Sequence, residues 1–558
     1  MSLETLADRY WLTLAEFNPI SATVRGEHSY DDRLRRFDDE WLDDMAGRFR
    51  SLAAEAELLD PATLTTQERI SVGLLVHECE VWATDIDLRF AVGAVDPFTG
   101  PHAGLLTATR QNTVATAEQA DALLVRYARV PDYLADALRF HRTCADQGMT
   151  PAMASLDRVM SQLDGYLDSG LEGDPFLQLG VPANADPDAW RDRATDLVRS
   201  VIRPAFADYR AGLRDHIAPV ARPHAKCGLV WMTNGEQIYT GLIHKFTQLA
   251  KPARQIHETG LEWATEINAA EWVEIGQRAL GTANRYEVFE RLHSDPELRF
   301  STEAEMLEHA RGAIDRAWDA VGNWFGTRPD TPCEVVPVPP EVAPAMPPAY
   351  YMQPPIDGSR PGTYFLNCYK PEERDRFEYE SIHFHEAVPG HHFDRSLASA
   401  LEGIPTFRRF AQVFAHTEGW GMYSERLADE MGLYSSDADR LGMVAADAMR
   451  AARLVTDTGI HALGWSREQA IEFIREWTPI GLLTTEQEVD RYIGMPGQAL
   501  SYKMGQLEIF RLRREAETRL GAAFDIKGFH DTMLVHGAMP LPMLAQAMDA
   551  WIETVEPG

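Results

Sequence analysis

Residues 378–395 read EYESIHFHEAVPGHHFDR, and the fold is read outward from them. The stretch holds four of the chain's 18 histidines, His383, His385, His391 and His392, and sets Glu386 directly after one of them. Metal-assisted hydrolysis calls for two imidazoles facing one way from a helix, plus a carboxylate beside the open coordination position. The usual spacing is H-E-x-x-H, with histidines at i and i+4. Position i+4 from His385 is Pro389, followed by Gly390. Proline lacks the N–H donor and glycine tolerates unusual dihedrals, so the pattern predicts a helix that ends or kinks there. The next histidine is then aimed by the kink. A bulge absorbed at Pro389-Gly390 returns His391 to roughly the place that i+4 normally holds and turns His392 outward, to a substrate-side or supporting position. The plainer alternative is a histidine-rich surface loop. His383 is read as a helix neighbour without a role.

Upstream, the chain reads as helix after helix. Asp31–Leu59, Thr65–Ile86, Thr116–Asp146, Asp186–Ile217 and Thr302–Trp324 place apolar residues at three- and four-residue spacing rather than in strict alternation. No fixed-period repeat argues for a solenoid. The pairs His77-Glu78 and His257-Glu258 lack a second histidine within two helical turns and are read as structural. The texture changes near Arg328. Between Pro329 and Pro361 lie 11 of the 33 prolines, which excludes helix and leaves short strands and turns. Cys333–Val338, Ala349–Met352 and Thr363–Cys368 are the strand candidates, rich in β-branched and aromatic residues. The last directly precedes the histidine helix and carries Tyr364, a candidate substrate contact. A free edge on Thr363–Asn367 would pair with an extended peptide; the bland reading is a structural hairpin.

Helix resumes near Pro405 and runs through 416–432 (HTEGWGMYSERLADEMG), where Glu418 and Glu425 are two turns apart and share a face. Glu418 is a candidate third ligand, against the ordinary reading of a solvated carboxylate. Residues 491–506 (RYIGMPGQALSYKMGQ) break helix at Pro496-Gly497 and group Arg491, Tyr492, Gln498, Tyr502 and Lys503, donors suited to an oxyanion or a substrate carboxylate. His536-Gly537 reads as a turn between helices, where His536 is either a substrate contact or a cap.

Composition bounds the function class. The 558 residues are 45% hydrophobic and 25% charged, the balance of a globular protein with ample core. With 85 acidic against 53 basic side chains and a net charge of -32, a phosphate backbone is repelled, which argues against nucleic acid. Five scattered cysteines without a C-x-x-C pair read as free thiols in a reducing compartment. The first residues show no export signal and no stretch approaches a membrane span, so a cytoplasmic location without membrane partners is expected.

Several of these motifs together carry a resemblance. Gly362-Thr363-Tyr364, His385-Glu386-x-x-Pro389-Gly390-His391-His392, Glu418-Gly419-Trp420 and Pro496-Gly497-Gln498-Ala499 resemble the bacterial family called domain of unknown function 885. Ser21-Ala22-Thr23 with Gly26, and Ile256-His257-Glu258-x-Gly260-Leu261, extend the likeness along the chain. The resemblance implies a gluzincin-like zinc metallopeptidase group. In it, Glu418-Gly419-Trp420 is similar to the Glu-Gly-Phe segment of the aminopeptidase N family, whose glutamate is the third zinc ligand. It further implies a mainly α fold in which long helices wall a channel, as in neurolysin and angiotensin-converting enzyme, with a small sheet beside the metal helix. The expected organisation is a helical scaffold over 1–327 and a catalytic region over 328–558, intertwined as one fold. The resulting expectation is a zinc-dependent peptidase for short peptides. His385, His391 and Glu418 hold Zn²⁺, Glu386 is the general base and Tyr502 the oxyanion donor, with His392, Arg491, Tyr492, His536 and Tyr364 on the substrate side. Alternatives are a metal-dependent hydrolase or lyase of a non-peptide metabolite, and a helical binding protein with a vestigial site.

Overall fold

Helix accounts for 71% of the computed structural model, and a three-stranded sheet supplies the strands, so the chain is mainly α. The structure describes residues 2–90, 94–340, 343, 346–353, 361–411 and 413–556. Helix ends follow local chemistry. α1 (Thr66–Asp87) opens on a capping box, in which the Thr65 hydroxyl accepts from the Glu68 N–H at 3.2 Å and the Glu68 carboxylate accepts from the Thr65 N–H at 2.8 Å. The segment expected as one helix over Thr116–Asp146 is two, Ala117–Ala128 and Val130–Asp146, because Pro131 suits a first turn but not a helix interior. The helix expected from Asp31 starts at Asp39, with the Asp38 carboxylate accepting from the Trp41 N–H at 3.0 Å.

α2 (Glu303–Val321) leads into the sheet, whose strands are β1 (Cys333–Pro337), β2 (Ala349–Met352) and β3 (Gly362–Leu366). Their order is β1-β3-β2, with β1 parallel and β2 antiparallel to β3; Tyr364 of β3 faces Val335 on one side and Tyr351 on the other. This corrects the expectation of a free edge at Thr363–Asn367. β3 is the central strand, with hydrogen-bonded partners on both sides, and four of its five residues are buried. Of the proline-rich stretch, 341–342, 344–345 and 354–360 lie outside the described residues.

Beyond the sheet come α3 (Tyr379–Glu386), α4 (His391–Ser399), α5 (Phe414–Glu430), α6 (Asp437–Leu463), α7 (Leu482–Gly494) and α8 (Leu500–Leu520). α6, 27 residues and about 40 Å long, is buried along most of its length and packs against α3, α8 and the helices Ala253–Glu262 and Asn268–Leu280. One apolar cluster holds Trp272 and Phe289 together with Phe384, Trp420 and Phe529, so elements from before and after residue 328 share it. Beside it, the buried Asp447 of α6 accepts from Arg426 at 2.6 Å, Lys503 at 2.7 Å and Asn268 at 2.9 Å. Removing one partner of such a buried pair typically costs about 3–5 kcal/mol, so these bonds fix how α5, α6 and α8 meet. All five cysteines are unpaired. No helix among the described residues is long and apolar enough to cross a membrane.

Candidate metal centre

The kink expected at Pro389-Gly390 is a full break between two helices. α3 ends at Glu386 and α4 begins at His391, so that histidine occupies the first position of a new helix rather than a bulged turn of the old one. Two contacts hold the turn. The Trp420 indole N–H donates to the Pro389 carbonyl at 2.9 Å, and Gly390 lies so close to the end of α3 that a Cβ there would come within 1.9 Å of the His385 carbonyl oxygen. No side chain fits that gap. The two histidine rings are thereby brought to 4.6 Å between centroids, at 83° to each other.

α5 supplies the carboxylate. One Glu418 oxygen lies 3.6 Å from Nε2 of His385 and 3.6 Å from Nε2 of His391, and one donor atom from each of the three residues falls within 4.8 Å of the others. Zinc bonds of about 2.0–2.1 Å in tetrahedral array set neighbouring donors about 3.3 Å apart, so the spacing and the His-His-Glu donor set both fit that ion. Room for the His385 ring is made on α5 by Gly421, where a Cβ would stand 2.6 Å from the imidazole carbon Cε1.

The far side of His385 is fixed by a second carboxylate. His385 Nδ1 lies 2.7 Å from Glu425 Oε1, while the other Glu425 oxygen accepts from the Ser381 hydroxyl at 2.7 Å. This bond sets the proton on Nδ1 and turns the Nε2 lone pair toward Glu418 and His391. Burial alone would push the His385 imidazole down, but Glu418 and Glu425 outweigh it and hold it up at about 10. Burial likewise raises Glu418, and the two imidazoles overcome it, holding the carboxyl far below the usual range. Both shifts express the attraction between the Glu418 carboxylate and the imidazoles beside it. Glu386 differs: burial, with Glu418 adding to it, raises its carboxyl above the usual range, and it has no hydrogen bond or ion pair among the described residues. Glu425→Gln keeps the shape and removes the orienting charge; zinc affinity is expected to fall about 10–100-fold, read by chelator competition. An unchanged affinity would deny Glu425 this role.

The sequence matches the family described as "Bacterial protein of unknown function (DUF885)" over residues 19–548. The chain belongs to that family. No curated protein matches it. Among solved structures it is similar to "the putative lipoprotein from Colwellia psychrerythraea", with 25% identity, a TM-score of 0.87 and 99% of each chain covered. It shares its fold with "a putative lipoprotein of unknown function from Shewanella oneidensis", at 20% identity and a TM-score of 0.76, over 98% of this chain and 100% of that one.

In this DUF885 chain the remaining candidates separate. Tyr502 is half-buried on α8, which meets α5 where Gly505 touches Gly419, and the Glu418 charge is felt at its hydroxyl. Arg491 lies in the same group of side chains, donating to Gln498 and, at 2.9 Å, to Glu488. Four others, all expected on the substrate side, have hydrogen-bond partners within the protein. His392 is buried, with its ring nitrogens 3.1 Å from the Tyr351 hydroxyl and 3.0 Å from the Thr331 carbonyl, so it ties α4 to the sheet region rather than turning outward. Tyr364 is buried with its hydroxyl 2.7 Å from His383 Nδ1. His383 does have a role: its other ring nitrogen reaches His309 on α2 at 3.1 Å, linking sheet, α3 and α2. The buried Tyr492 hydroxyl donates to Glu488 at 2.7 Å and accepts from Arg453 at 3.1 Å. His536 lies against Gln67 at 3.0 Å, and its carbonyl accepts from Arg408. Lys503 is fully buried on Asp447. Of the sequence decoys, Glu78 accepts from the Tyr10 hydroxyl at 3.0 Å and His257 Nδ1 lies 2.9 Å from the Thr458 hydroxyl. Sequence reasoning missed the Arg453 guanidinium, 4.6 Å over the Tyr502 ring; nothing in the local pattern of α6 marks it.

Proposed function

We propose that this DUF885 protein is a zinc-dependent hydrolase of the gluzincin type, a metallopeptidase that cleaves short peptides in a cleft walled by helices like that of neurolysin or angiotensin-converting enzyme. Residues 328–558 carry the chemistry and 1–327 the scaffold. The observation that carries the reading is the placement of two imidazole Nε2 atoms each 3.6 Å from one Glu418 oxygen, with the unpaired carboxylate Glu386 at the end of the same helix as His385. His385, His391 and Glu418 would hold Zn²⁺, which when bound polarises a carbonyl and acidifies water.

The chain's own residues account for the rest. Glu386, raised by burial, takes a proton from the attacking water and returns it to the leaving amine. Tyr502 donates its hydroxyl hydrogen to the oxygen that becomes negative in the transition state. Glu425 keeps His385 in the tautomer that presents Nε2. One observation favours a second reading, hydrolysis or elimination on a non-peptide metabolite: β3 has no free edge on which to align an extended peptide. The test is direct. Protein purified without added zinc should carry close to one equivalent and, loaded with zinc, should shorten members of a mixed peptide pool in mass spectra. A zinc content below about a tenth of an equivalent would refute the metalloenzyme, and an intact peptide pool would favour the metabolite reading.

A further inference from the structure

The wall behind Tyr502 is basic in a chain whose net charge is -32. Arg450 and Arg453 lie one turn apart on α6 and share a face. Arg453 donates to the Tyr492 hydroxyl at 3.1 Å and to Glu488 at 2.9 Å, while its Nη1 is buried without a hydrogen-bond partner. Arg491 shares the same Glu488, so two guanidiniums compete for one carboxylate and a positive charge is left over. Arg450 has no ion pair among the described residues; its Nη1 donates only to the Ala446 carbonyl at 3.2 Å, and its Nε is buried and unpartnered. The cluster borders the candidate centre: the Arg453 guanidinium lies 4.6 Å over the ring of Tyr502 on α8, the helix whose Gly505 packs against Gly419, next to Glu418 on α5. The Arg491, Glu488 and Arg453 side chains keep 18%, 21% and 11% of their surface, so the cluster opens to solvent through them, with the unpartnered nitrogens of Arg453 and Arg450 buried behind.

We propose that Arg491, Arg453 and Arg450 form a carboxylate subsite that receives the C-terminal carboxylate of a peptide, which makes the enzyme a carboxypeptidase. This rests on the hydrolase reading above. Guanidinium forks match a carboxylate with paired N–H donors, and the donors left unmet here are guanidinium nitrogens. The carboxylate that every peptide carries nearest to a scissile bond is the terminal one, on the α-carbon of the leaving residue when the last peptide bond is cut. Water adds its oxygen to the carbonyl carbon of that bond, the C–N bond breaks, and the proton taken by Glu386 goes to the departing amine. The products are a peptide shorter by one residue and a free amino acid.

Binding tests this apart from turnover. Zinc-loaded Glu386→Gln protein is incubated with an equimolar pool of random pentapeptides, half with free C-termini and half with C-terminal amides, and the retained peptides are quantified by mass spectrometry after ultrafiltration. Free acids should be retained at least tenfold over amides. Arg491→Gln in the same background, checked for an unchanged melting temperature, should bring that ratio close to one; Arg450→Gln offers an independent second variant. Equal retention of acids and amides overturns the subsite, as does selective retention of amides carrying Asp or Glu side chains. In parallel, wild-type protein should release single C-terminal residues. Retention of acids without cleavage would sink the hydrolase and leave the subsite, whereas cleavage without acid preference would do the reverse.

Discussion

Glu386→Gln should keep its zinc and lose turnover by about a hundredfold to ten-thousandfold, while Glu418→Ala should lose the zinc itself. The two carboxylates sit beside the same pair of histidines and differ in what they touch. A Glu418 oxygen is 3.6 Å from both imidazoles, so its charge belongs to the donor set, and without it two neutral histidines remain. Glu386 follows His385 at the end of α3, has no hydrogen bond or ion pair among the described residues, and is raised by burial toward the range where a carboxylate takes and returns a proton. Glutamine there preserves volume and polarity and removes the basic lone pair. Metal content by elemental analysis and turnover on a cleaved peptide, measured on the same preparations, separate the roles. Zinc-free Glu386→Gln protein, or a zinc-replete Glu418→Ala protein, would exchange or abolish the assignments.

How far the sequence reaches is visible in these same residues. Helix type and the break after Glu386 were legible because both are local: apolar spacing sets the period, and Pro389-Gly390 cannot continue a helix. The strands were legible for the same reason, with Ala349–Met352 observed as expected and the other two within two residues of theirs. Strand order was not. It depends on which segment is buried deepest, and the most buried strand took the centre, removing the edge expected for a peptide. Side-chain partners across elements were hidden in the same way. Tyr364, His392 and Tyr492 are residue types that serve a substrate or a core equally well, and their neighbours His383, Tyr351 and Glu488 come from elements far apart in sequence or from packing no local pattern marks. Glu425 was half legible: two turns from Glu418, it shared a face with it, but its bond to His385 comes from the crossing of α3 and α5.

The adjacent histidines give the sharpest contrast, because one substitution should act on metal and the other on stability. His391→Ala should lower zinc affinity by more than about a hundredfold, beyond the usual effect of a supporting residue. It should lower the metal-free melting temperature less than His392→Ala does, because His391 Nδ1 has no hydrogen-bond partner and its Nε2 faces Glu418 at 3.6 Å, a carboxylate that His385 also reaches. His392→Ala should do the opposite. Its ring is buried, and removing it strands the Thr331 carbonyl and deprives Tyr351 of a partner. Losing the bond to the Thr331 carbonyl and the packing of a buried ring costs about 1–3 kcal/mol, so the metal-free protein should melt measurably lower while its zinc affinity stays within a few-fold of wild type. The cause is the start of α4: its first residue faces back toward the end of α3, and the next one, about 100° further round the helix, faces the sheet. Chelator competition gives the affinities and thermal melts of the metal-free variants give the stabilities. A larger loss of affinity in His392→Ala would mean that the second imidazole at the metal is His392 and that the turn at Pro389-Gly390 rearranges when zinc binds.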